Sequence, residues 1–167
     1  MEVKYREDKD IKQPDLKSMN MEELKDWVTG AGQPAFRAKQ IYQWFHVKLA
    51  DGTDEMTNLP KNLREKMDEY GIYGVSVVTR LISEDDGTNK FLFRLHDGNV
   101  IESVLMKYKH GNSVCISSQV GCRMGCRFCA STLDGLVRNL TPSEILEQIY
   151  RIQESIGERI SNVVVMG

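Results

Sequence analysis

The segment from residue 113 onward constrains the fold most. "SVCISSQV", residues 113–120, has the composition of a short strand. After an intervening loop, Thr141 and Glu144 stand at capping-box spacing with Pro142 as the first helical residue. Ile145, Leu146, Ile149, Tyr150 and Ile152 then build the apolar face of a helix that runs to about Ile156. "NVVVMG" follows as a continuous apolar run, the signature of a strand buried on both faces. Strand, loop, helix, strand is a βαβ unit, whose parallel strands need cover on both faces and further neighbouring strands. The pattern predicts that this chain of 167 residues stops just inside a repeating β/α domain.

The preceding sequence divides in two. "NMEELKDWVTGA" begins with a capping box, Asn20 and Glu23, carries Met21, Leu24, Trp27 and Val28 on one face, and runs out at Gly30 and Gly32. Pro34 opens a second predicted helix with Phe36, Ile41, Trp44 and Phe45 near helical spacing. Pro60 opens a third, with Leu63, Met67 and Tyr70 on one side and Gly71 as its stop. From residue 72 the periodicity changes: "IYGVSVVTRLIS", "NKFLFRLHDG" and "NVIESVLMKY" are rich in β-branched and aromatic residues. The Asp-Gly pairs between them supply the positive φ of tight hairpins, so the three read as a β-meander.

Composition narrows the class. With 41% hydrophobic and 28% charged residues the chain reads as soluble, and its apolar runs fall far short of the ~20 residues of a membrane span. The lead-in "MEVKYREDKDIKQPDLK" is charged, reads as solvated, and lacks the apolar core of a signal peptide, so a cytoplasmic location is expected. A net charge of −2 announces no nucleic-acid binder, and any such role rests on a local patch. Arg123, Arg127 and Arg138 against Asp134 make one such patch.

Three of the four cysteines, Cys122, Cys126 and Cys129, stand at C-x₃-C-x₂-C spacing in "SSQVGCRMGCRFCASTLDGLVRN". On a helix these offsets would stack three small residues on one core-facing side, but Gly121 and Gly125 disfavour a helix. Zinc in a closed structural site needs four ligands, which Cys115 or His110 would have to complete. A four-iron cluster held by three thiolates instead leaves one iron open to a small chelating molecule.

This spacing in the loop after the first strand of a β/α domain, with Phe128 before the last cysteine, resembles the radical S-adenosylmethionine (SAM) superfamily. Within it, "FLFRLHDGNVIESVLMKY", "NSVCISSQVGCRMGCRFCASTLDGLVRNLTPSEI", "NVVVMG", "QPAFRAKQIYQWF" and "LPKNLREKM" resemble a narrower family. Its members are bacterial dual-specificity methyltransferases acting on carbon 2 of an adenine in 23S rRNA and of an adenine in the anticodon loop of certain tRNAs. A sister group that methylates carbon 8 of the same ribosomal adenine shares the motifs. A zinc-stabilised RNA-binding module without catalysis is the rival from another class.

The resemblance implies an α+β architecture. Residues 1–73 would form a helical, helix-hairpin-helix-like RNA-binding domain and 74–107 a β-meander linker. Residues 108–167 would be the start of a partial (β/α) radical SAM barrel, truncated after its second strand. It implies Cys122, Cys126 and Cys129 as ligands of one 4Fe-4S cluster, with Phe128 near SAM. Two SAM molecules would be used per turnover, one of them to methylate a cysteine absent from this chain. Glu102 would be the proton acceptor, and Cys115 would form a transient disulfide with the methyl-carrying thiol. Read from its neighbours, Glu102 lies among apolar residues, where desolvation would raise its pKa. Partners implied are 23S rRNA, tRNA and a flavodoxin-type electron donor, with the protein a monomer. Lys107, Lys109, His110 and the three arginines are candidate phosphate contacts. Phe36, Tyr42, Trp44 and Phe45 fit core packing better than base stacking.

Overall fold

A computed structural model describes residues 15–166, arranged as two compact units that divide between Tyr73 and Gly74. Residues 1–14 of the lead-in lie outside the described residues. Its last residues are not solvated: Leu16 and Lys17 are buried, and the Lys17 ammonium sits over the Phe45 ring at 5.7 Å.

The first unit is built on α1 (Met21–Gly30), α2 (Phe36–His46) and α3 (Lys61–Tyr70). The α1 capping box forms: the Asn20 side chain accepts from the N–H groups of Glu22 and Glu23, and Glu23 accepts from the Asn20 N–H at 2.8 Å. Pro34 falls two residues short of α2, where its carbonyl accepts from the Arg37 N–H and starts the turn. Gly71 ends α3 at φ 109°, a conformation that favours glycine. Leu24, Val28, Ile41, Phe45, Leu63 and Met67 fill the centre with no more than 1% exposure. Each contributes roughly 1.5–3 kcal/mol of apolar burial. Of the four aromatics read as core, only Phe45 is fully buried. Phe36 is 59% exposed under the Arg37 guanidinium, and Tyr42 is exposed beside His46. Trp44 is half-buried, with its Nε1 donating to Asn58 at 2.7 Å.

Among the described residues the second unit holds seven strands: β1 (Ser76–Ile82), β2 (Asn89–Arg94), β3 (Val100–Tyr108), β4 (Gly111–Ser117), β5 (Gln119–Gly121), β6 (Leu136–Asn139) and β7 (Ile160–Met166). One helix, α4 (Pro142–Ile156), precedes β7. β1 to β4 run as an antiparallel meander, and β7 adds parallel to β4. The meander and the βαβ unit therefore share one five-stranded sheet. Phe91 and Phe93, stacked at 5.8 Å, meet Ile101, Leu105, Val114 and Ile116 on the face that Ile152 of α4 covers. Both Asp-Gly turns form with positive φ, 69° at Gly87 and 86° at Gly98. No helix among the described residues is long and apolar enough to cross a membrane.

Three features depart from the sequence pattern. β7 is not buried on both faces: among the described residues it is the edge strand beside β4, and Val163, Val164, Val165 and Met166 are 43–57% exposed because no further strand or helix covers them. β6 pairs antiparallel with β5 in a separate two-stranded sheet, within the segment whose sequence pattern reads as loop. The first two turns of α4 bury polar side chains, Ser143, Glu144, Glu147 and Gln148, while Ile145 and Ile149 are only partly buried.

Candidate functional site

The cysteine loop leaves the C-terminal end of β4, where parallel strands present loops for chemistry. Ser118 fixes its start: its N–H and Oγ donate to the Met166 carbonyl, and its own carbonyl accepts from the Leu140 N–H. β5 then pairs with β6, with Gln119 opposite Asn139 and Val120 opposite Arg138. The pair closes in a neck where the Cys122 N–H donates to the Gly135 carbonyl at 3.1 Å. Gly121 sits there at φ 72°, and a Cβ on it would overlap the Gly135 oxygen. Only glycine fits both constraints.

Residues 122–135 between the strands carry the three thiols. Gly125, at φ 66°, turns the chain after Cys122. The Met124 N–H points at the Cys122 sulfur at 3.5 Å. The Cys129 N–H donates to the Cys126 carbonyl, and the Thr132 hydroxyl to the Cys129 carbonyl at 2.9 Å. Cys122 is buried, Cys129 half-buried and Cys126 exposed, and all are free thiols. Phe128, implied to lie near SAM, projects 95% exposed.

Among the described residues no three His, Cys, Asp or Glu side chains converge on one point to hold a metal ion. The donor chemistry nonetheless fits an iron–sulfur cluster: three free thiols within eight residues, on a glycine-containing loop pinned at both ends. It fits a closed zinc site poorly. His110 lies on the β3–β4 turn, stacked on Tyr108, one strand length (about 20 Å) from the end of β4 that feeds the loop. Cys115 is held inside β4 between β3 and β7.

Glu102 and Cys115 share the sheet face opposite α4. Cys115 stands opposite Val104, so Glu102 is its diagonal neighbour on β3. The desolvated setting expected of Glu102 is absent. Its side chain is 54% exposed and pairs with Lys90 at 2.7 Å, because alternation along β3 turns it outward while Ile101 and Ser103 turn in. Cys115 is half-buried, and burial pushes its thiol up from the usual value.

The arginine patch is also revised. Arg138 is 6% exposed and unavailable to phosphate: its guanidinium forks onto both Glu144 oxygens at 2.8 Å and reaches Asp97 at 2.7 Å. Burial opposes the Arg138 charge, but the hydrogen bonds it donates to Glu144 and Asp97 outweigh that and hold the pKa above its ordinary value. Burial likewise raises the Asp97 carboxyl, and the Arg138 and Asn99 hydrogen bonds pull it below its ordinary value. Lys107 is drawn to Glu158 at 3.2 Å. Of the loop arginines, Arg123 and Arg127 remain exposed. Sequence reasoning missed Asp97 and Gln148 and saw in Glu144 only a cap.

Comparison with known proteins gives these features a context. Residues 14–72 match the family model described as "Ribosomal RNA large subunit methyltransferase N-terminal domain", RlmN_N. Over 154 residues, 92% of the chain, it is 64% identical to the probable dual-specificity RNA methyltransferase RlmN of Lachnospira eligens. The chain belongs to the RlmN family. A relative of the same name from Lachnoclostridium phytofermentans is 61% identical over 92% of the chain, and one from Clostridium novyi 54% over 90%. The chain spans less than half the length of these RlmN relatives: 44%, 43% and 44% respectively. A crystal structure of a radical SAM methyltransferase from Sphaerobacter thermophilus superposes with a TM-score of 0.80 at 36% identity. That match covers 92% of this chain and 47% of the other.

Proposed function

We propose that the chain forms the helical and cluster-holding part of a radical SAM RNA methyltransferase acting on carbon 2 of adenine. Its substrates are 23S rRNA and the anticodon loop of certain tRNAs. The observation that carries this reading is the C-x₃-C-x₂-C loop, pinned at its neck at the C-terminal end of β4, in a chain 64% identical to a probable RNA methyltransferase. Cys122, Cys126 and Cys129 are the thiolates that would hold a 4Fe-4S cluster, on a loop that turns at Gly125. Bound there, the cluster would supply the electron that cleaves SAM to a 5′-deoxyadenosyl radical.

The chain's own residues have separate tasks. Phe128, exposed just ahead of Cys129, would offer an apolar surface to SAM if a cluster were bound there. Glu102 accepts the proton from the attacked ring carbon; its carboxylate is open to solvent, with the Lys90 ammonium at 2.7 Å. Cys115, one diagonal step away, resolves the protein–RNA adduct by attacking the sulfur of the methyl-carrying cysteine outside this chain. The S–S bond of a transient disulfide forms, the S–CH2 bond to the RNA breaks, and the released carbon keeps the electron pair and takes up a proton. The first unit contacts RNA, a flavodoxin-type protein donates electrons, and the protein acts as a monomer in the cytoplasm.

The test uses a chain extended to the full length of the RlmN relatives, incubated with unmodified 23S rRNA and tRNA, followed by mass spectrometry of the digested RNA. Methyl at adenine carbon 2 is expected in both RNAs; methyl at carbon 8, or none with a loaded cluster, overturns the reading. Glu102→Gln in that protein is expected to halt turnover after attachment to RNA, and normal turnover removes Glu102 from the role.

A further inference from the structure

The buried polar stripe on α4 does not follow from packing a helix on a sheet, since apolar residues would hold it there without the cost of burying charge. Glu144 and Gln148, one helical turn apart, are 1% and 0% exposed. The Gln148 amide is fully used. Its oxygen accepts from the Ser117 N–H at 2.9 Å and the Ser103 hydroxyl at 2.8 Å, and its nitrogen donates to the Ser117 and Glu144 carbonyls. Ser117 is the last residue of β4, immediately ahead of the strand that enters the cysteine loop. Glu144 takes the Arg138 fork, and Arg138 belongs to β6, the strand that leaves the loop. Asp97, in the β2–β3 turn, grips the same guanidinium from the sheet side.

We propose that α4 clamps both legs of the cysteine loop, through Gln148 on the entering side and the Glu144–Arg138 fork on the leaving side, with Arg138 and Gln148 as positioning residues for the three thiols. Within the loop the ties are short-range ones, such as those among Cys126, Cys129 and Thr132, from the Leu133 N–H to Ala130 and from the Gly135 N–H to Thr132. Where the thiols stand relative to the sheet is inherited from the neck. Directional hydrogen bonds set that placement, whereas an apolar contact would let the legs slide. The role of the thiols rests on the function proposed above; the clamp itself does not.

Two measurements separate these layers. In the metal-free chain, hydrogen exchange resolved along the sequence is expected to accelerate by about tenfold or more across residues 119–140 in Arg138→Met and Gln148→Leu, with β2 and β3 unchanged, as loss of a charged or buried hydrogen bond implies. After anaerobic reconstitution, the same variants are expected to lose iron to a chelator about tenfold faster than the parent, with Arg138→Lys intermediate because it keeps the charge and loses the fork. Should Arg138→Met fail to fold, Arg138→Lys and Asp97→Asn carry the test, with the same localised acceleration expected. Exchange and iron retention within about twofold of the parent, or acceleration spread evenly over residues 74–166, overturns the clamp. A parent chain that takes up no iron defeats the cluster reading and leaves the exchange result to judge the clamp.

Discussion

Gly121→Ala probes the neck of the cysteine loop directly. Alanine at φ 72° costs about 1–2 kcal/mol of left-handed strain. Its Cβ would overlap the Gly135 carbonyl, so the two strands must part, and the Cys122 N–H loses its acceptor at 3.1 Å. An unsatisfied buried donor adds roughly 1–3 kcal/mol, giving about 2–5 kcal/mol for the neck. Gly125→Ala supplies the control. It has nearly the same φ, 66°, but open space around the added Cβ, so only the strain of about 1–2 kcal/mol applies. Hydrogen exchange of the β5–β6 amides in the metal-free chain reads the difference, with roughly 1.4 kcal/mol per tenfold change. Gly121→Ala should open the pair at least about tenfold more readily than Gly125→Ala. Equal effects would refute the argument that the carbonyl contact, and not φ alone, demands glycine.

Other expectations follow from the same geometry. Phe91→Ala removes a fully buried ring stacked on Phe93 and should destabilise the second unit by about 3–5 kcal/mol, read by urea denaturation; a loss under about 1 kcal/mol would contradict the packing. Thr141→Ala removes the cap of α4 at a cost of about 1 kcal/mol in the same assay. Because the folded Asp97 carboxyl lies below its ordinary 3.8, its stabilising contribution is complete above that pH and is lost as pH falls through the lower folded value. Asp97→Asn should therefore flatten the acid end of the stability profile, and an unchanged slope would remove Asp97 from the ion cluster. In the metal-free chain, iodoacetamide near pH 8 should label exposed Cys126 well before Cys115, whose thiol is raised by burial; mass spectrometry showing the reverse order would contradict the placement of Cys115 in the sheet.

Much of this fold was legible because its signals are local. The two capping boxes, the Asp-Gly turns and the β7 strand each encode their structure within a few residues and formed where the pattern put them, although β7 is exposed at the sheet edge and not buried on both faces. What escaped depends on distant partners. Arg138 looks like a surface cation until Asp97, 41 residues earlier, and Glu144 close around it. β6 spans four residues, one arginine and one asparagine among them, and exists because β5 lies alongside. Glu102 has apolar neighbours in sequence, but alternation along the strand sends Ile101 inward and leaves Glu102 on the outer face with Val100, paired to Lys90. Phe36 and Tyr42 keep helical spacing, yet the buried side of α2 is the one carrying Ala38, Ile41 and Phe45. Spacing identifies a stripe, and only the packed partner decides which stripe is covered.

The central claim is that Cys122, Cys126 and Cys129 hold a cluster with one iron open. Anaerobic reconstitution with iron and sulfide, followed by metal analysis and electron paramagnetic resonance with and without SAM, tests it most directly. The account predicts a brown protein with about four irons per chain, lost on replacing any of the three cysteines by serine but kept in Cys115→Ser, and a reduced-cluster signal that SAM alters. A colourless chain that binds about one zinc, with Cys115→Ser abolishing the binding, would contradict it.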